Sequence, residues 1–263
     1  MFVSLSVDEN TVAYWYFSAR STTKVRDVLN RHNGDVIFED DKAPVQPSFI
    51  KNFSILSTGS TVLTVPETVT SSNISETITQ GKFGETRNFN GKSYFIKIPN
   101  NNELKLTNFT IEALVNFIEI YDRKSTLISK MHYNGTSYTG YEIYFKDDGV
   151  YIVLAKSSLS LPEPIFVPFE LQEARWFYFA ISIQEDGVVN VYVDGKHIKT
   201  TGSGVRSIFN DADILLGARY DQGLAGYSHY LKGSIEFIRL SQIIRKKEEF
   251  TSNAVRLPIS LSC

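Results

Sequence analysis

The sequence predicts an all-β fold, an antiparallel sandwich of two stacked sheets. Three observations carry that prediction. Strand-sized runs recur along the chain, separated by turns rich in Gly, Asp and Asn. The stretch 176–200, WFYFAISIQEDGVVNVYVDGKHIKT, reads as two long strands joined at Glu185-Asp186-Gly187, with a second reversal at Asp194-Gly195. Aromatic residues make up 13% of the 263 residues, mostly Phe and Tyr, which suit a pleated surface.

The central stretch shows the logic best. Its first arm is apolar almost throughout, as in a strand covered on both faces. The second alternates, with Val189, Val191 and Val193 on one face and Val188, Asn190, Tyr192 and Asp194 on the other. Both turns place Gly after an acid, the local chemistry for positive φ at a hairpin tip.

From the N-terminus, TVAYWYF at 11–17 is a dense aromatic strand, and KVRDVLNRHNGDVIF follows with an expected turn at Asn33-Gly34. Pro44 and Pro47 bracket a loop. Half of residues 54–79 are Ser or Thr, interleaved with Ile55, Val62, Leu63, Val65, Val69, Ile74 and Ile78. Their β-branched content favours an ordered insertion, about 51–80, over a low-complexity linker. YFIKIP at 94–99 alternates Tyr94, Ile96 and Ile98 against Phe95 and Lys97. NFTIEALVNFIEI at 108–120 puts Phe109, Ile111, Ala113, Val115 and Phe117 on one face. STLISKM, GYEIYF and VYIVLA follow, the last two joined at Lys146–Gly149, and DILLG at 213–217 and GSIEFIRL at 233–240 close the series. The N-terminal strand is expected to pair with GSIEFIRL. Helix evidence is confined to SQIIRKKEEF at 241–250, which predicts one short helix or helical turn with Ser241 as its cap. The domain reading is a single sandwich over 1–263 with a short C-terminal tail, 251–263.

An ordered set of segments resembles laminin G-like domains of the concanavalin A-like lectin/glucanase superfamily. VAYWYF followed by VRDVLNRHNGDV resembles the opening of that family, and GKFGETRNFNGKSYFIKIP at 81–99 its GKFG…FNG…Y…IP segment. NFTIEALVNF, the YVDG hairpin, LLG at 215–217 and KGSIEFIRL at 232–240 match later elements, with Trp176-Phe177 at the family's Trp-His position. The resemblance spans roughly residues 11–250, with 40–80 as an insertion, and implies a concanavalin A-like jelly roll. It also implies a scaffold that serves binding more often than catalysis.

The reactive side chains point the same way. A retaining glycosidase needs two carboxylates about 5–5.5 Å apart, and no E-x-D-x-x-E pattern occurs. Glu112 and Glu142 each stand alone on a strand. His32, His132, His197 and His229 are scattered, and no G-x-S-x-G elbow is present. The resemblance implies a structural calcium ion near a sheet edge, for which Asp8, Asp27 and Glu236 are the candidate ligands. Glu236 stands where the family commonly has Asp, and the competing reading is a set of solvated carboxylates.

For a ligand, two loops stand out. HYNGTSYTGY at 132–141 carries Tyr133, Asn134 and Tyr138. RYDQGLAGYSHYL at 219–231 carries Tyr220, Asp221, Gln222, Tyr227, His229 and Tyr230. Aromatic faces stack on pyranose C–H faces while Asp, Asn and Gln bind hydroxyls. The two loops are expected to meet at one rim. The competing reading is that these tyrosines pin the loops to the sandwich or form a protein contact.

A net charge of −2 gives no bulk attraction to nucleic acid or anionic membranes, and the longest apolar runs are strand-sized, so no membrane insertion is expected. The single cysteine, Cys263, permits no intrachain disulfide. N-x-S/T triplets at Asn52, Asn73, Asn108 and Asn134 are chance matches in a Ser/Thr-rich chain. The N-terminus lacks the basic flank of a secretion signal. The expectation is therefore a non-enzymatic lectin-like or structural module of a bacteriophage virion, in a tail, fibre or capsid surface. It would contact host glycans or neighbouring subunits as part of an oligomer or larger assembly. The alternatives are a signal-less bacterial carbohydrate-binding protein, in the cytoplasm or at the cell surface, and a divergent glycoside hydrolase.

Overall fold

A computed structural model describes residues 7–17, 23–39, 78–80, 85–121, 123–205 and 208–250. In chain order the strands are β1 (Thr11–Tyr16), β2 (Lys24–Val25), β3 (Gly34–Phe38), β4 (Ile78–Gln80), β5 (Glu85–Asn90) and β6 (Tyr94–Ile98). Next come β7 (Phe109–Phe117), β8 (Ser125–Tyr133), β9 (Tyr138–Lys146), β10 (Gly149–Ser158), β11 (Ile165–Pro168) and β12 (Trp176–Ile183). The last six are β13 (Val188–Val193), β14 (Lys196–Gly202), β15 (Ile214–Leu216), β16 (Arg219–Asp221), β17 (Gly226–Ser228) and β18 (Lys232–Ser241).

They form two large antiparallel sheets and one two-stranded ribbon, β16-β17. The first has the order β14-β13-β12-β7-β18-β5-β4, with β1 also on β18, and the second has the order β11-β10-β9-β8-β15-β6-β3-β2. Period-two alternation supplies the core between them. Phe109, Ile111, Ala113, Val115 and Phe117 of β7 face inward, as do Val189, Val191 and Val193 of β13. The sheet also buries its other face. Tyr14, Leu114, Tyr178, Ala180 and Phe237 pack there under Phe250, which explains the continuous apolar run of β12.

The expected pairing of the N-terminal strand holds: β1 runs antiparallel to the C-terminal half of β18, from Tyr16 opposite Phe237 to Thr11 opposite Ser241. The N-terminal half of β18 pairs with β5 instead. Glu236 lies at the bulge where the strand changes partner, since the register with β7 shifts between Ile235 and Phe237.

Two turn readings need correction. The reversal before β3 is built on Asp27 rather than on Asn33-Gly34. Asp27 accepts four backbone N–H groups, from Tyr14 at 2.8 Å, Leu29 at 3.2 Å, and Arg31 and His32 at 3.1 Å each. Asn30 takes the positive φ of 57°. Gly34 is a strand residue, small because a Cβ there would sit 2.6 Å from Ile96 Cγ2. At the C-terminus, the helical turn is a single 3-10 turn, Lys247–Glu249, entered through Lys246. Ser241 ends β18 and receives a 2.6 Å hydrogen bond from Arg245 Nε, so it caps nothing. The hairpin turns follow expectation, with φ of 83° at Gly187, 49° at Asp194 and 73° at Gly195. Of the 51–80 insertion, only Ile78–Gln80 falls among the described residues, and the tail 251–263 with Cys263 lies outside them.

Candidate functional site

The outer face of the second sheet carries a row of aromatic side chains flanked by charged groups. Tyr141, Ile143 and Phe145 of β9 point into the core, so Glu142 and Tyr144 point out. The register sets Tyr144 opposite Tyr151 of β10, and Tyr151 opposite Phe166 of β11. Their rings stack in a row, with centroids 4.9 Å and then 4.8 Å apart. Lys124 Nζ lies 5.3 Å from the Tyr144 ring centre and Lys146 Nζ 5.5 Å from that of Tyr151. Burial, reinforced by the Glu142 carboxylate, pushes the Tyr144 phenol up to about 12. Burial and the hydrogen bond to Asp148 take Tyr151 to about 12 as well. Both hydroxyls therefore stay protonated donors. Phe166, at the end of the row, keeps 38% of its surface in solvent.

Beside this row the β16–β17 hairpin folds across the sheet. Glu142, with no exposed surface, accepts from Thr126 Oγ1 at 2.9 Å and Arg219 Nη1 at 3.2 Å. His229 Nδ1 lies 3.5 Å from the same carboxylate, on a backbone held at φ 54°. A fully buried carboxylate requires such partners, and here they anchor the hairpin to β9.

The sequence-derived ligand residues divide into two groups. Tyr133, Asn134 and Tyr138 form the β8–β9 tip: the two rings pack 4.7 Å apart, and Asn134 Oδ1 accepts from the backbone N–H of Thr136 and Ser137 at 3.0 and 2.9 Å. Tyr220, Asp221, Gln222, Tyr227, His229 and Tyr230 belong to the β16–β17 region. The structure does not bring the groups to one rim. Thr126, near the start of β8, donates to His229 O at 2.9 Å, whereas Tyr133 ends that strand. Seven residues of extended chain separate the two, roughly 23 Å at the ordinary rise.

Within the second group the roles differ. Tyr220 is 42% exposed and meets Tyr227 edge-on at 5.5 Å. Tyr227 packs on Phe95 at 4.2 Å. Tyr230 is only 9% exposed, packs on Phe95 and Leu215, and donates its hydroxyl to Glu39. Asp221 accepts from the N–H of Gly223 at 2.9 Å and from Ser228 Oγ at 3.3 Å. Burial opposes its ionisation, yet Arg219 and these donors hold its carboxyl below the ordinary value. Gln222 lies in the tip between the two strands and is exposed.

The calcium expectation does not fit these residues. Both oxygens of Asp8 receive Arg245, at 2.6 and 2.7 Å. The lone pairs of Asp27 are filled by the four N–H groups described above. Glu236 accepts from Tyr16 Oη at 3.2 Å, at the far end of β1 from Asp8. Among the described residues no group of three or more His, Cys, Asp or Glu is placed to hold a metal ion.

Sequence reasoning missed Tyr144, Tyr151, Phe166 and the Glu142–Arg219 pair. The available signal was the outward phase of GYEIYF and VYIVLA: one alternation puts Glu142, Tyr144 and Tyr151 on one face. The register that aligns them with Phe166 was not readable.

A laminin G-like family model, described as the Concanavalin A-like lectin/glucanases superfamily, matches residues 90–249. A comparison with curated protein sequences returns no match. Among solved structures, the chain is similar to domain 4 of AbnA, an extracellular arabinanase from Geobacillus stearothermophilus, in complex with arabinotriose. The TM-score is 0.62 at 12% identity, over 94% of this chain and 98% of that one. It is also similar to the binding domain of Paraclostridial Mosquitocidal Protein 1, with TM-score 0.61 and 13% identity over 92% of this chain and 51% of that one. A third likeness is to a mutant of Trypanosoma rangeli sialidase displaying trans-sialidase activity, with TM-score 0.58 and 13% identity over 94% of this chain but 33% of that one. This chain thus spans about half of the toxin chain and a third of the sialidase. At these identities the structural likeness establishes the fold, and with the family match over residues 90–249 it follows that the chain belongs to the concanavalin A-like lectin/glucanases superfamily.

Proposed function

We propose that this protein is a non-enzymatic glycan-binding module and that it binds through the outer face of the second sheet. The observation that carries the reading is the row Tyr144–Tyr151–Phe166, three aromatic rings in register beside hydrogen-bonding and cationic groups. Sugar recognition combines an apolar ring contact with a few polar groups for the hydroxyls. Domain 4 of the arabinanase was solved with arabinotriose and a botulinum neurotoxin binding domain with SialylT, so related scaffolds carry glycans.

Two further observations support a non-catalytic role. Of the three buried strand acids among the described residues, Glu112 and Glu142 lie on the outer faces of opposite sheets, each paired with an arginine, and Glu236 accepts from Tyr16 Oη. Sheets stack about 10 Å apart, and the Glu112 and Glu142 carboxylates point away from the gap. That separation exceeds the spacing of about 5–9.5 Å that glycoside hydrolysis uses. The setting we propose is the surface of a virus particle, a bacteriophage tail, fibre or capsid. There the module would meet host glycans or neighbouring subunits within an assembly. That setting rests on the sequence features alone, and detection of the chain in purified particles by mass spectrometry tests it.

A glycan array probed with the full chain, followed by calorimetry on the best ligand, tests the binding role. Phe166→Ala is expected to weaken binding at least tenfold while the melting temperature stays near that of the parent. Unchanged affinity would exclude the outer face. Reducing-sugar release from any bound polysaccharide would overturn the non-enzymatic reading.

A further inference from the structure

The outer face of the second sheet carries a charge arrangement that a neutral ligand does not explain. In the β8–β9 ladder Ser125 stands opposite Phe145 and Thr126 opposite Tyr144. Lys124 directly precedes that ladder and Lys146 ends β9, and both bring their ammonium groups to rings of the outer face. Like charges gathered on one sheet face repel. Neighbouring acids relieve this only in part. Lys146 has Asp148 at 4.0 Å, and both oxygens of Asp148 accept from Tyr151 Oη, at 2.9 and 2.8 Å. Among the described residues no carboxylate lies within ion-pair distance of Lys124, which is exposed. Glu142 is fully buried and already paired with Arg219. Glu163, on the connection to β11, is the remaining acid within electrostatic reach of Tyr144.

Both ammonium groups sit close to rings of the stacked row, within 5.3 and 5.5 Å of successive ring centres. Tyr144 is only 5% exposed, so a ligand on this face meets Lys124 beside that covered ring, Lys146 beside Tyr151, and then the exposed edge of Phe166, whose carbonyl accepts from Lys199 Nζ at 2.9 Å. We infer that the glycan taken by this face is anionic, with a carboxylate or sulfate seated between Lys124 and Lys146 and an adjoining sugar ring against Tyr151 and Phe166. The inference rests on the proposed glycan-binding role and specifies its substrate class.

The test is calorimetric titration of the full chain, at low and at raised salt, in two arms. One arm compares oligogalacturonate with its methyl ester, and the other compares a heparin oligosaccharide with its desulfated, N-acetylated form. The expected result is at least tenfold tighter binding of the acidic member in one or both arms, weakened by salt. The arm that responds identifies carboxylate or sulfate as the anion. The double variant Lys124→Gln/Lys146→Gln, with an unchanged melting curve, is expected to lose that preference and to bind acidic and neutral members alike. Equal binding of acidic and neutral members by the parent protein, or a preference that survives the double variant, overturns the anionic assignment and leaves the glycan role standing. Absence of binding in both arms and on the glycan array overturns both.

Discussion

Tyr220 and Tyr230 are the same residue type in one short segment, with opposite structural roles. Tyr230 has its ring against Phe95 and its hydroxyl on Glu39, and it is nearly buried. Tyr220 leans on Tyr227 from the solvent side. Truncating a buried aromatic ring costs about 3–5 kcal/mol, whereas an exposed ring with one edge contact contributes ~1 kcal/mol or less. Tyr230→Ala is therefore expected to lower the urea midpoint strongly and Tyr220→Ala only slightly. Equal losses would mean that the β16–β17 hairpin is held by Tyr220 as firmly as by Tyr230. At this scale the sequence was legible where burial follows period two, as in Val189, Val191 and Val193. It was silent on Glu112 and Glu142. A strand acid looks solvated until its partner is known, and Arg239 lies 127 residues from Glu112 and Arg219 lies 77 from Glu142.

At the level of elements, strand type and order were readable, and the joints between them were not. The segment from β14 to β15 crosses the end of the sandwich from one sheet to the other, and no local pattern announces what holds it. The structure shows that Lys130 does so. Its place in β8 opposite Tyr141 turns it inward, and Nζ donates to Asn100 Oδ1 at 2.9 Å and to Ala212 O. Asn210 Nδ2 reciprocates by donating to Lys130 O at 2.8 Å and Thr139 O at 2.7 Å. Burial lowers the Lys130 amine from the ordinary 10.5 to about 8. Between those values the unfolded chain binds more protons than the folded one, so stability rises with pH across that window. The penalty for burying the charge is complete below the folded value and vanishes above the unfolded one. Relative to Lys130→Met, the parent protein is expected to gain up to ~3 kcal/mol between pH 8 and 10.5, read from urea unfolding at each pH. A difference that stays flat across the window would show that the amine titrates normally and that the crossing is held by the asparagines alone.

For the whole molecule, the clamp between its two ends organises the outer face of the first sheet. Arg245 grips Asp8 through both terminal nitrogens and reaches Ser241 with Nε. Arg239 joins Glu112 below it and donates to Glu249 O at 3.1 Å. Together they hold residues 242–250 as a strap over Tyr14, Tyr178 and Phe237, with Phe250 as its apolar anchor. The hydrogen bonds from Arg245 keep the Asp8 carboxyl well below the ordinary carboxylate value, outweighing its partial burial. A depressed acid contributes stability that is present above its unfolded value of 3.8 and lost as pH falls toward its folded value. Asp8 is 41% exposed, so solvent screening limits the contribution to ~1 kcal/mol. Asp8→Asn is expected to lower stability by about that amount at pH 6 and to converge on the parent as pH falls from 3.8 toward the folded value, with a smaller gap in high salt. Hydrogen exchange locates the effect. If the clamp holds the strap, amides of 242–250 lose protection in Asp8→Asn at pH 6 while those of β7 and β12 keep theirs. Uniform loss across both sets would instead make the ion pair a general contributor to the sandwich and not the fastening of its ends.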